Sequence, residues 1–207
     1  MSKVPDNIFT LARGLLLHGN IRVLAFTSMM TGIYVSMLNT VLQPFVVDDL
    51  GFVVPILGIL VALGGRPSGL ASSIVQPFAG HLADLLGRRL LIVVGSAVGI
   101  CSMVSFLLAA AMHSLLPLSV GYILFGVSLL GNPAAQAMIA ETVAMDPAKV
   151  NIAFSIVFFF TQLPGAFIPF AAGYLVFSLG FVVIFATAGL FESANLLILI
   201  TQTRETR

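Results

Sequence analysis

The chain has 207 residues, of which 59% are hydrophobic and 8% charged, with a mean hydropathy of +1.11. This excludes an ordinary soluble domain, where roughly a quarter of residues carry charge. Cys101 is the single cysteine, and His18, His81 and His113 lack HExxH spacing. An intramolecular disulfide and CxxC chemistry are thereby excluded, and neither a metal nor a cofactor is expected. A net charge of +1 leaves the placement of charges, rather than their sum, to carry the information.

Residues 1–20 read as a lead-in, with 7–18 interfacial; Lys3 and Asp6 precede a short apolar run with no small-residue cleavage site, so no removable signal peptide is expected. The apolar stretches that follow predict spans over 21–43, 53–83, 90–111, 115–141, 150–177 and 180–202. Each meets the roughly 20 residues that a transmembrane helix needs. The expected fold class is all-α: one polytopic six-helix membrane domain over 21–202, with a cytoplasmic tail at 203–207. The second and fifth spans are longer than the bilayer requires, which predicts tilt, kinks or projecting ends. Pro44, Pro55, Pro67, Pro77, Pro117, Pro133, Pro164 and Pro169 lie in or beside the spans. Membrane helices tolerate them where neighbours re-satisfy the freed carbonyls. Gly65-x-x-x-Gly69 and Gly95-x-x-x-Gly99 predict close helix approach.

With both termini on one side, Lys3, Arg13, Arg22, Arg88, Arg89, Lys149, Arg204 and Arg207 share a face, while the opposite connections hold Asp48, Asp49 and His113. The positive-inside rule makes the basic face cytoplasmic, so a multi-pass protein of the cell (inner) membrane with cytoplasmic termini is expected. Pro77-Phe78-Ala79-Gly80-His81-Leu82 and Pro169-Phe170-Ala171-Ala172-Gly173-Tyr174-Leu175 echo each other at opposite faces, as a three-plus-three inverted repeat would produce.

Between spans two and three runs Gly80-His81-Leu82-Ala83-Asp84-Leu85-Leu86-Gly87-Arg88-Arg89. Gly87 permits a tight turn, Asp84 sets a carboxylate at a helix end, and two arginines hold the loop outside the hydrocarbon. The segment resembles the signature loop of the major facilitator superfamily, G-x-L-A-D-R/K-x-G-R/K-R/K, with Leu85 standing where a base is usual. Further likeness lies in span four, from Gly126 through Asn132-Pro133-Ala134-Ala135 to Ala140-Glu141, and in Thr203-Arg204-Glu205-Thr206-Arg207 after span six. Tyr122 replaces an arginine common in the family, and Ile168 a glycine of its antiporters, so neither role transfers. The resemblance implies the N-terminal half of a secondary transporter working by alternating access. It also implies a gating set of Gly80, Asp84, Gly87, Arg88, Arg89 and Glu141, with Glu141 a partner for Arg88 or Arg89. Members generally have twelve spans with the substrate site between two halves, so either the chain is a fragment, as from a split gene, or a second six-helix chain or a second copy would complete the cavity.

Charges within spans are costly and point to function. Arg66 precedes Asp84 by 18 residues, roughly 27 Å of helix. There Gly64, Gly65 and Pro67 can open the helix toward a watery cavity. Arg66 would attract an anionic substrate, pair with Asp48 or Asp49, or snorkel outward. Glu192, mid-span six, is the candidate proton carrier; a packing role beside Asn195 is the alternative, since the family's sixth helix usually sits away from the cavity. Asn39 with Gln43, and Asn132 with Gln136, stand one turn apart and so share faces. With Gln162 and Arg66 they form the expected substrate-lining set, interhelical hydrogen bonds being the alternative.

The expected partners are the lipid bilayer and a small-molecule substrate, with no nucleic acid; with no nucleotide-binding loop, an ion gradient, the proton's first, is the expected energy source. A non-transporting accessory or assembly protein is the alternative reading. An intramembrane serine protease is disfavoured because Ser128 lacks a G-x-S-G context and span six has no histidine. A channel is disfavoured for want of a filter-like stretch.

Overall fold

The computed structural model describes residues 8–144 and 146–205; Lys3, Asp6 and Arg207 lie outside them. The lead-in forms α1 (Ile8–Leu17), which packs on α2 (Gly19–Pro44) and α8 (Pro147–Gln162). Pro44 donates no N–H to the turn behind it, and directly beyond it the helix widens into a π-helical turn, Phe45–Asp49, closed by Leu50 N donating to Phe45 O at 3.0 Å.

The expected span over 53–83 is not one helix. It divides into α3 (Val54–Gly64) and α4 (Leu70–Leu86), with the chain open between them. Gly65 and Gly69 belong to this opening. A Cβ on Gly69 would meet Gly65's backbone, so this glycine pair serves a bend in its own chain rather than the helix crossing expected of it. Ser72 Oγ steadies the break from below, 2.9 Å from Pro67 O and 2.7 Å from Gly69 O.

Span three is α5 (Arg88–Met112), and here the second glycine pair behaves as expected: a Cβ on Gly95 would lie 2.9 Å from Gly131 N. Span four is α6 (Leu115–Val127) joined to α7 (Gly131–Thr142) by a 3-10 turn, and span five is α8 joined likewise to α9 (Ile168–Leu179). Asp146 starts α8 by accepting from Ala148 N at 3.1 Å, and Lys149 Nζ lies 3.2 Å from its other oxygen. Hydrogen bonding from the Lys149 side chain, foremost, holds this carboxyl below the usual range. Span six is α10 (Phe181–Gln202).

Five helical stretches, Gly19–Asp49, Arg88–Met112, Leu115–Thr142, Pro147–Leu179 and Phe181–Gln202, are long and apolar enough to cross a membrane. With the broken second span they complete the expected six-span, all-helical bundle. Around it, α5 packs between span four and α10, α2 packs between α10 and span five, and span two closes on span four. One apolar core centres on Phe45, Phe106 and Phe185, with Phe106 and Phe185 stacked 5.7 Å apart; the other lies beneath α1 and the α4–α5 turn. Phe45 packs edge-on against Phe185 at 5.0 Å, so rings from α2's end, α5 and α10 lock these helices together.

Candidate functional site

A cavity of about 700 Å³ lies among the broken spans, a size typical of small-molecule sites. Of the expected lining set, Asn39, Arg66, Asn132, Gln136 and Gln162 stand on its wall, and Gln43 does not. Gln43 shares Asn39's face of α2 but sits a turn nearer Pro44, beyond the cavity's reach. Asn39, Asn132, Gln136 and Gln162 are all exposed, so their amides remain available to a ligand.

Arg66 reaches the wall because the helix opens at its position, and its guanidinium turns inward rather than toward Asp48 or Asp49. Nε donates to Phe125 O at 2.8 Å and Nη1 to Tyr34 Oη at 3.0 Å, while Nη2 donates to Ser128 Oγ. The guanidinium also stacks over Phe125, 4.4 Å from the ring centre. Among the described residues no carboxylate lies within ion-pair distance of it; Asp49 instead lies 3.7 Å from His113 Nε2. A guanidinium has five N–H donors, so three are spent on neutral acceptors and two are left over.

Glu192, on span six, lines the same cavity, and the Asn195 contact of the alternative reading is present beside it. It is 2% exposed. Ser96 Oγ donates to Glu192 Oε1 at 2.7 Å and Asn195 Nδ2 donates to Oε2 at 3.1 Å; Asn195 Nδ2 also approaches Thr31 Oγ1 at 3.4 Å. Gly99 makes room, since a Cβ there would lie 2.8 Å from Glu192 Oε1. Tyr34, Ser96, Ser128 and Thr31 were not singled out as site residues from the sequence. A signal exists for one group: Ser28, Thr31, Ser36 and Asn39 recur at helical spacing along α2, and all four line the cavity.

The signature loop forms a second polar cluster. Gly87, at φ +100°, ends α4 and begins α5, a backbone conformation that favours glycine. Arg88 bridges Glu141 Oε1 at 2.5 Å and Asp84 Oδ1 at 3.5 Å, so Glu141's partner is Arg88. Arg89 turns away and donates to Ile200 O. Glu205, which the sequence singled out only within the tail, receives the N–H groups of Arg88 (3.3 Å) and Arg89 (3.2 Å), placing a carboxylate at the positive end of α5. Asn20 pins the tail further, its amide exchanging two hydrogen bonds with the Arg204 backbone. Gly80 lies within α4, and a Cβ there would meet nothing within 4 Å, so no close packing explains that glycine. Gly87→Ala is expected to destabilise the bundle by about 1–3 kcal/mol through its backbone conformation, measured as a lower melting temperature in detergent; Gly80→Ala serves as the unaffected control.

A helical bundle with broken spans around a polar cavity defines a multi-pass membrane protein. Residues 24–207 match the family model of the Major Facilitator Superfamily, and the chain belongs to that superfamily of membrane transport proteins, with the six spans of one half. No curated protein matches the chain.

Proposed function

We propose that the chain is one half of a secondary active transporter that moves a small molecule by alternating access, driven by an ion gradient, the proton's first. The observation that carries this reading is the cavity: exposed amides, a cation with no carboxylate in contact and a buried carboxyl converge on it from spans one, two, four, five and six. Broken helices at a membrane-depth cavity are a recurring arrangement in transporters. The signature-loop cluster acts as the gate, tying α4, α5, α7 and the tail together at one end. Arg22, Arg88, Arg89, Lys149 and Arg204 lie at that end of their helices, and Asp49 with His113 at the other; the charge asymmetry supports a cytoplasmic basic end. The cavity's second wall comes from another six-helix chain or a second copy.

The test is solute flux in proteoliposomes, on the purified chain with any six-helix chain that accompanies it. Asp84→Asn is expected to slow flux several-fold while the melting temperature stays put. Full flux in that variant would remove Asp84 from the gate; no flux of any solute under an imposed proton gradient would remove the transport reading and favour an accessory role.

A further inference from the structure

We propose that the substrate is an organic anion whose anionic group docks on Arg66, and that it travels with a proton carried on Glu192, the two ligands strengthening each other across one cavity. This rests on reading the cavity as the transport site.

The charge inventory of the wall decides the substrate's sign. Among the described residues that line it, Arg66 is the basic side chain and Glu192 the acidic one. Arg66 is anchored on Phe125 O, Tyr34 Oη and Ser128 Oγ. Those three contacts fix its orientation without neutralising it and leave one N–H on each terminal nitrogen, enough for a charge-assisted pair to a carboxylate. With Glu192 protonated, a neutral solute would leave that cation without a counter-charge, and a cationic one would be repelled. The remaining wall sets the body of the anion. About 700 Å³ far exceeds an inorganic ion, and the exposed amides of Asn39, Asn132, Gln136 and Gln162, together with Phe154 and Phe158, suit a molecule with both hydrogen-bonding and apolar parts.

Glu192 supplies the coupling. Ser96 and Gly99 face it from α5, Asn195 from its own helix, and Thr31 stands behind Asn195 on α2. The charged or titratable groups that act on it electrostatically are Arg66 and Tyr34. The ionisable side chains that α5 and α9 also carry are elsewhere: Arg88 and Arg89 at the loop, Cys101 exposed and Tyr174 exposed. With Glu192 ionised, its charge offsets Arg66 and opposes an incoming anion. With Glu192 protonated, Arg66 acts alone and the anion is favoured. By linkage the bound anion must then favour protonation of Glu192 by the same factor. Anion plus proton fills the cavity with no net change in charge, a symport in which either ligand alone is disfavoured.

The experiment is equilibrium binding to the purified chain, with its companion where one co-purifies, using lactate, succinate and benzoate against lactamide, succinamide and benzamide. At least one anion is expected to bind more than tenfold tighter than its amide, as for a charge-assisted site. Raising the pH from about 6 to about 8 should weaken that anion on the order of tenfold, with proton uptake on binding in weak buffer. Glu192→Gln should abolish both the pH dependence and the uptake while keeping the anion bound. Arg66→Gln should lose the anion preference, and Arg66→Lys should retain part of it, which separates lost charge from lost fold. No anion preferred over its amide, or pH-independent binding by the unaltered chain, would overturn the proposal. Proton-linked anion binding without flux would uphold it as a binding site and strike the transport reading. Proton-driven flux of a neutral solute would do the reverse.

Discussion

Replacing Gly64 with alanine is expected to lower the stability of the bundle by about 3 kcal/mol, whereas the same change at Gly58, six residues earlier in the same helix, should be neutral or slightly stabilising. The chemistry added is identical, one methyl group, so the contrast isolates packing. At Gly64 the methyl would run into the Tyr122 carbonyl and lie 2.6 Å from Ile123 N, all backbone of α6. Backbone cannot rotate aside. At Gly58 nothing lies within 4 Å. The contact is mutual, because a Cβ on Gly126 would sit 3.0 Å from Gly64 O. Two glycines therefore let α3 cross α6 at backbone distance where lipid offers no hydrophobic drive for association. The crossing also sets the site, since Arg66 follows two residues later and bonds to Phe125 O and Ser128 on the helix just crossed. Gly64→Ala should thus lower the melting temperature in detergent by several degrees and weaken ligand binding even below that temperature. Matching melting curves for the two variants would sink the account.

Much of this was legible from residues alone. Hydrophobic runs placed the six spans because backbone satisfaction in lipid admits little else. Gly64, Gly65, Pro67 and Arg66 in succession marked an opening in span two, and the helix does part there. The rotation of each helix was harder to read. A helix apolar on every side presents no periodic face, so nothing in Phe181–Gln202 said that Glu192 looks into the cavity rather than away from it. Asn39 and Gln43 show the complementary gap: spacing fixed their common face but not how far along the axis the cavity extends. Gly65 and Gly69 had the spacing of a crossing motif, yet a motif counted along the chain presumes an unbroken helix, and Pro67 stands between them. Glu205 was the most distant in kind. Its partners are backbone N–H groups more than a hundred residues away, and side-chain pattern carries no record of backbone donors.

Within the signature-loop cluster, Glu141→Gln is expected to loosen that end of the bundle far more than Asp84→Asn, although Asp84 is the acidic residue that the sequence pattern emphasises. Burial and distance decide it. Arg88's side chain is 14% exposed, Glu141's 30% and Asp84's 68%, and the two bridges measure 2.5 Å and 3.5 Å. An exposed bridge across the α4–α5 turn contributes at most about 1 kcal/mol. Neutralising the close partner of a largely buried guanidinium costs more, about 1–3 kcal/mol, because the cation keeps its desolvation without its counter-charge. Arg88 Nε is buried without a hydrogen-bond partner among the described residues, so the side chain has little slack with which to find a substitute. If this cluster holds the cytoplasmic end shut, 1–3 kcal/mol corresponds to a shift of roughly 5- to 150-fold between closed and open populations. The reporter is a cysteine at Leu199, which is 3% exposed and lines the cavity on α10, in a Cys101→Ser background. Its labelling by a membrane-impermeant maleimide in inside-out vesicles should rise strongly in Glu141→Gln and about two- to five-fold in Asp84→Asn. Equal rises, or a larger one for Asp84→Asn, would mean that the latch hangs on the exposed carboxylate and that the Arg88–Glu141 pair is only a rivet between α5 and α7.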